Sequence, residues 1–363
     1  MRVMTQHEAL RFVDEHCALF DAEARRNPFM CAAWMRLFIQ HIATDEWTFF
    51  APVTDDGASL MLFYSDDGRR TWHAVSNYYT SLYSPLISTL DDTTARQRAV
   101  AALIEQVATC RPRPAILDLS PLDDAADDTL ALRQTLAARG WLTRQYDRFG
   151  NWYLPCAGLS FADYMAARDS QTRNTWTRKK KQFAANGQAR LEIVQAPEDV
   201  ARGMDAYERI YALSWKQPEP YAGFVRDWAT VCAQHGWLRL GLAWVGDVPI
   251  AAQFWFTLHG RASIFKLAYD QEYAKLSAGT VLSAHLFEQA LDHDRVTEID
   301  YLTGDDPYKQ SWMTARRQRV GLVACNPMTL RGIAAGAREM AGQMRQRLRR
   351  ASTPGQPGVE SGS

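Results

Sequence analysis

Between Trp237 and Trp312 the chain places three apolar runs, a small-residue loop and a helix in immediate succession. The runs read LRLGLAWV, VPIAAQFWFTL and RASIFKLAYD, broken at Gly246-Asp247 and His259-Gly260. Alternating aromatic and β-branched residues suit a pleated surface, and the Gly-containing breaks are hairpin turns. Ser277-Ala278-Gly279-Thr280 then opens onto an amphipathic helix, followed by a strand at Glu298–Leu302 and an acidic turn leading to Tyr308-Lys309. A meander that feeds small residues into a helix N-terminus makes a cradle for a phosphorylated ligand, because the first amides of a helix are unpaired and lie at its positive end. On local sequence alone the same loop reads more readily as an ordinary strand-to-helix turn with Gly for geometry.

The chain of 363 residues is long enough for two domains. In its first half, helical spacing covers Thr5–Phe20, and Asn27-Pro28-Phe29 opens a second helix through Trp34 and Phe38. Strand-like runs TFFAPV, SLMLFYS and TWHAVS follow, separated twice by Asp-Asp-Gly. The half ends with a helix at Thr93–Ala108, a strand at Ala115–Leu119, a helix at Asp127–Arg139 and one or two strands over Trp141–Leu154. The second half begins with one long helix, bracketed by a Ser160/Asp163 capping box and Asn186-Gly187. A strand at Leu191–Val194 and helices at Pro197–Trp215 and Pro220–His235 precede the meander. The recurring order predicts an α/β (α+β) chain of two tandem units, residues 1–157 and 158–330, each a mixed twisted sheet flanked by helices. Residues 331–363 are expected to form a basic amphipathic helix and a disordered tail, STPGQPGVESGS.

A formal net charge of zero disfavours a general nucleic-acid binder. The charge is uneven, however, with basic residues crowded at Arg173–Lys181 and Arg316–Arg350. The six cysteines lie far apart with no C-x-x-C pair, and no His has ligand spacing, so reduced thiols and no metal are expected. The N-terminus carries acids and no apolar core, and no window holds the twenty or so apolar residues of a spanning helix. A cytoplasmic location is the expectation.

Asp300 sits at a strand end beside a loop, where a carboxylate is a candidate general base or amine anchor, or else pairs with a nearby Lys or Arg. Tyr308 can give a proton and Lys309 can hold an anionic oxygen. In the run Arg178-Lys179-Lys180-Lys181 the four cations cannot share one helix face, so part of it is solvated while the rest is available to phosphates. No G-x-S-x-G elbow marks a hydrolase.

Taken in order, Ser214-Trp215-Lys216, Val248-Pro249-Ile250-Ala251-Ala252, Ala268-Tyr269-Asp270, Ser277-Ala278-Gly279 with Leu282, Ile299-Asp300 and Tyr308-Lys309 resemble the GNAT acyltransferases. The resemblance is to their FemAB-like, CelD-like tandem branch, and Asn27-Pro28-Phe29 with Trp34 is similar to the opening segment of the same branch. It implies an acyl-CoA donor, with acetyl-CoA the first candidate, whose pyrophosphate lies on Ser277, Ala278, Gly279 and Thr280. The thioester carbonyl would meet backbone around Phe265, Lys266 and Leu267. Tyr308 and Lys309 would be catalytic with Asp300 in support, and Trp215, Lys216, Tyr269, Asp270 and Arg178 would contact substrate. An amine or hydroxyl of an envelope, polysaccharide or small-molecule acceptor would attack directly. Of the usual pyrophosphate signature, Gln or Arg followed by x-x-Gly-x-Gly or Ala, only Gly279 is present. The resemblance therefore also admits transfer from aminoacyl-tRNA to a peptidoglycan-type amine. A third alternative is a non-catalytic module in polysaccharide assembly, docked on a membrane surface or partner by the Arg331–Arg350 helix.

Overall fold

Alternation along the strands sorts side chains onto two faces, and both faces are covered by helices. In chain order the strands are β1 (Arg2–Met4), β2 (Thr48–Ala51), β3 (Ser59–Leu60), β4 (Phe63–Ser65), β5 (Thr71–Ala74), β6 (Leu86–Ile87), β7 (Ile116–Asp123), β8 (Leu142–Pro155), β9 (Ala189–Val194), β10 (Leu238–Val245), β11 (Val248–Leu258), β12 (Arg261–Tyr269), β13 (Glu298–Asp300) and β14 (Ala315–Cys325). The computed structural model describes residues 1–68, 70–89 and 92–352. The expected disordered tail lies, from residue 353 on, outside the described residues.

The meander forms as read. β10, β11 and β12 pair antiparallel through turns in which Gly246, His259 and Gly260 take positive φ. β11 is buried almost end to end, so its two faces feed two cores. Phe254 and Phe256 join Trp34, Phe224 and Trp228 on one side, while Trp255 joins Leu282 and Phe287 of the helix Ala278–Glu288 on the other. Trp34, from the first half, meets Phe29, Phe224, Trp228 and Phe265 edge to face at 4.9–5.8 Å. Each such aromatic pair contributes about 0.5–1.5 kcal/mol beyond its buried area, so this cluster ties the halves together.

Mixed sheet flanked by helices is what the sequence led us to expect, but the two expected sheets are one. Twelve strands run in the order β1-β2-β4-β5-β7-β14-β8-β13-β12-β11-β10-β9, with β3 and β6 paired apart. β14, from the second half, lies antiparallel between β7 and β8 of the first. Other local readings shift for visible reasons. The long helix expected from Ser160 is two, Phe161–Ala166 and Ser170–Ala184. The Arg173 guanidinium donates to the Ala166 and Arg168 carbonyls at 3.0 and 2.5 Å, satisfying the acceptors that the break frees. Ser160 caps the first of them as expected. Tyr308 and Lys309, read as part of a turn, lie in the short helix Pro307–Trp312.

Candidate functional site

Ladder pairing opens a cleft in the middle of the sheet. β12 stays paired with β11 out to Tyr269, yet on its other side β13 pairs only Arg261–Ser263, in parallel. From Ile264 onward that edge of β12 has no strand beside it among the described residues. Three connected cavities of about 770, 370 and 210 Å³ occupy the space between the diverging strands and the helices above them.

The largest cavity runs between the helices Ser170–Ala184 and Ala278–Glu288. Its walls include Trp176, Lys179, Leu267, Gly279, Tyr301 and Tyr308. At one end the smallest cavity continues it past Lys179, Tyr269, Gly279 and Thr280 toward Asp270, Ser277 and Ala278. Here Ser277 takes the left-handed conformation (φ 53°), and its carbonyl accepts from Thr280 and Val281. Among the described residues the Ala278 and Gly279 amides then have no backbone partners, as at any helix start. Lys179 donates to Thr280 Oγ1 at 3.2 Å, and burial together with neighbouring Arg178 holds its ammonium below the usual lysine range. Gln253 fixes this helix end against β11, donating to the Gly279 carbonyl at 2.9 Å and to Ser283 Oγ at 2.7 Å.

Toward the first half the cleft passes Trp215, Leu267, Tyr301 and Tyr308 into the 370 Å³ cavity, which Phe265, Lys216, Lys266 and Lys309 also line. Tyr301 and Tyr308 meet edge to face at 5.8 Å. Burial raises both phenols, Tyr308 to about 12 with Asp306 adding to it, so each is a proton donor at neutral pH. Lys309 is buried and committed: its Nζ donates to the Thr303 carbonyl at 2.6 Å and pairs with Asp306 at 3.2 Å. Burial, only partly offset by Asp306, holds its ammonium below the usual range.

Two residues expected at the site lie elsewhere. Asp300 is fully buried and lines none of these cavities. Its carboxylate accepts from Asn151 Nδ2 at 2.6 Å, the Leu302 amide at 2.7 Å and Arg317 Nη2 at 2.5 Å. Burial opposes ionisation, but the charges of Arg317, Arg261 and Arg319 outweigh it and keep the carboxyl below the usual carboxylate range. A carboxylate committed to two neighbouring strands and to the main chain, and lining none of these cavities, ties the sheet together. Arg178 is exposed and lines none of these three cavities; its neighbour Lys179 does. Conversely, Tyr301, Gln253 and Tyr79 belong to the cleft and were not singled out from sequence. Lys179 was visible: Trp176, Lys179 and Phe183 recur at i, i+3 and i+7, one helical face, and Arg178 falls off it.

Residues 170–310 match the family model described as an acetyltransferase (GNAT) domain. This part of the chain is a GNAT domain. The match starts with the helix that carries Lys179 and closes just past Lys309, so the GNAT domain supplies most of the cleft wall. Over nearly the whole chain the fold is similar to that of FemX, with TM-score 0.60 and 10% identity across 89% of this chain and 97% of the other. L-PGS from Bacillus licheniformis is similar with TM-score 0.52 and 10% identity, over 90% of this chain and 93% of its own. A conserved protein of Bacteroides thetaiotaomicron gives TM-score 0.55 and 11% identity over 87% and 97%. At these identities the likeness is one of fold. No curated protein matches the sequence. The GNAT assignment and the FemAB-like fold expected from sequence both stand.

Proposed function

We propose that the protein is an acyltransferase that moves an acyl group from acyl-CoA, acetyl-CoA first among the candidates, to an amine or hydroxyl of a separate acceptor. The observation that carries this reading is the opening between β12 and β13, with an uncapped helix N-terminus and Lys179 at one end and two protonated phenols at the other. Anionic phosphates suit the Ala278 and Gly279 amides, the helix dipole and the Lys179 ammonium. An extended thioester arm laid along the free edge of β12 would bring its carbonyl to Leu267, between Tyr301 and Tyr308. The acceptor's lone pair then attacks the carbonyl carbon and the C–S bond breaks. Tyr308 gives its proton to the departing thiolate and regains one from the attacking nitrogen or oxygen. Lys309 holds the Thr303–Asp306 turn in place and so positions Tyr308.

Titration calorimetry with CoA tests the donor. Lys179→Met should weaken CoA binding about tenfold or more, the loss of one charge-assisted contact. Arg178→Met, at an exposed position, should change it less than about threefold. Equal effects of the two variants would refute the assigned phosphate end. Mass spectrometry of whatever ligand survives native purification would identify the donor class directly.

Transfer from a charged tRNA is the second reading, favoured by the exposed cations Arg178 and Lys180 on the helix at the cleft mouth. It requires tRNA binding that weakens steeply with salt. We assign residues 1–157 and 158–330 to two lobes around the cleft, and place the reaction in envelope or polysaccharide metabolism on the cytoplasmic side. Among the described residues no helix is long and apolar enough to cross a membrane. The helix Leu330–Ser352 does expose Leu330, Ile333 and Met340 beside Arg331 and Arg338, a pattern suited to an anionic lipid surface. Flotation with phosphatidylglycerol vesicles should be lost when residues after 330 are removed; unchanged flotation would exclude this contact.

A further inference from the structure

The 370 Å³ cavity holds a charge imbalance that the donor reading does not use. Three lysines line it, and two are neutralised by the protein itself. Lys266 pairs with Glu219 at 2.7 Å, and the Tyr211 and Tyr79 hydroxyls also donate to that carboxylate, the former at 2.6 Å. Burial works against Glu219, but these three donors hold it below the usual carboxylate range, so it stays an anion facing Lys266. Lys309 has Asp306 and two main-chain carbonyls. Lys216 has no carboxylate or carbonyl within hydrogen-bonding reach among the described residues. Its ammonium lies between the rings of Tyr211 and Trp215, at 5.6 and 5.8 Å. With three lysines against Glu219 and Asp306, the cavity has an excess of one positive charge.

We propose that this cavity is the acceptor site and that Lys216 recognises an anionic group on the acceptor, a carboxylate or a phosphate, next to the amine or hydroxyl that is acylated. The proposal rests on the donor occupying the larger cavity. Burial and the nearby charge of Lys266 push the Lys216 ammonium down to about 8, a penalty that an incoming anion would relieve. Lys266 and Lys309 cannot serve in the same way, since an added anion there would displace an existing partner. The rim supplies flat surfaces for the body of such a molecule. Trp215, Tyr308 and Tyr78 are 51%, 46% and 50% exposed, high for aromatic side chains, and all three border this cavity. Trp215 and Tyr308 also border the larger one, so a ligand resting on them spans the junction where transfer would occur.

Reductive methylation with formaldehyde and the neutral hydride donor dimethylamine–borane, followed by peptide mass spectrometry, reads the accessibility of each lysine without adding a charged reagent. At pH 8 and without CoA, Lys216 should be methylated faster than exposed Lys180. Millimolar methyl glucuronide, glucose 1-phosphate or both should slow the reaction at Lys216 several-fold, while neutral methyl glucoside should not. Protection by the glucuronide alone assigns a carboxylate, and by the sugar phosphate alone a phosphate; either supports the proposal. In direct binding, Lys216→Gln should weaken the protective anion about tenfold or more while Lys216→Arg keeps it, and CoA affinity should be unchanged in both. Equal protection by methyl glucoside, protection by none of the three, or unaltered anion binding in Lys216→Gln would each overturn the proposal. CoA that protects Lys216 as strongly as glucose 1-phosphate would place the donor here and overturn it too. Failure of CoA to bind anywhere, with anion protection intact, would overturn the donor reading and leave Lys216 as an anion site.

Discussion

Gly279→Asp is expected to abolish CoA binding, by about a hundredfold or more, in a protein that folds as well as the wild type. Nothing in the fold requires glycine at this position. Gly279 is not among the glycines with positive φ, and an added Cβ would meet only Tyr269 Cδ1, at 3.8 Å, an ordinary contact. A carboxylate in the first turn of a helix is favourable, so thermal stability should hold or rise slightly. What the substitution changes is the cleft. The new carboxylate would occupy the space in front of the Ala278 and Gly279 amides and could pair with Lys179. Like charges brought together in a binding site cost several kcal/mol, and the attraction that would hold a pyrophosphate is used up internally. Gly279→Ala adds bulk without charge and should weaken binding far less. Calorimetry with CoA on the three proteins separates the cases, and unchanged affinity in Gly279→Asp would remove the phosphate site from this helix end.

Much of this site was legible because it is local. Turn glycines, the alternation of β10–β12 and the small residues ahead of the Ala278 helix all act within a few residues of one another. The second half of the cleft is not local. Tyr78 and Tyr79 reach the cavity from a loop nearly two hundred residues upstream of Lys266, and a Tyr-Tyr pair in a loop carries no spacing that points to a partner. Tyr301 reads as one more buried aromatic in the run EIDYL; only the divergence of β13 from β12 makes it a cleft residue. The single sheet was hidden for a related reason. Alternation says which face of β14 is buried but not which strands flank it, and its partners β7 and β8 both lie far upstream in the first half of the chain. Asp300 shows the limit most directly. Its neighbours in sequence fit a base at a strand end, whereas its function depends on Asn151 and Arg317 from two other strands.

Asp300→Ala should therefore cost stability rather than chemistry, about 3–5 kcal/mol, the usual penalty for leaving a buried charge unpaired. The residues involved form a closed set across five strands. Arg317 contacts Asp300 and Glu298 at 2.5 and 2.9 Å, Arg261 contacts Glu298 at 2.9 Å, and Arg319 contacts Asp123 at 2.6 Å. Asn151 bridges them, giving a hydrogen bond to Asp300 and accepting from Arg317 at 2.6 Å and Arg319 at 3.2 Å. Three guanidinium groups thus face three carboxylates, and the balance is complete. Removing Asp300 leaves three cations on two anions, with Arg319 only 2% exposed and unable to reach water. The Leu302 amide loses its acceptor at the same time, in the strand end that leads to Tyr301. Because the folded-state pKa of Asp300 is depressed, its contribution is present above the unfolded carboxyl value near 4 and is lost only as pH falls through the lower folded value. The wild type should accordingly show a loss of stability below about pH 4 that Asp300→Ala lacks. Urea unfolding at pH 7 and pH 3.5, paired with CoA calorimetry at pH 7, gives the decision. A lowered midpoint with CoA affinity intact fits a carboxylate that binds strands together. An unchanged midpoint with lost CoA affinity would instead return Asp300 to the binding site, and would mean that Arg317 and Asn151 release it when the donor binds.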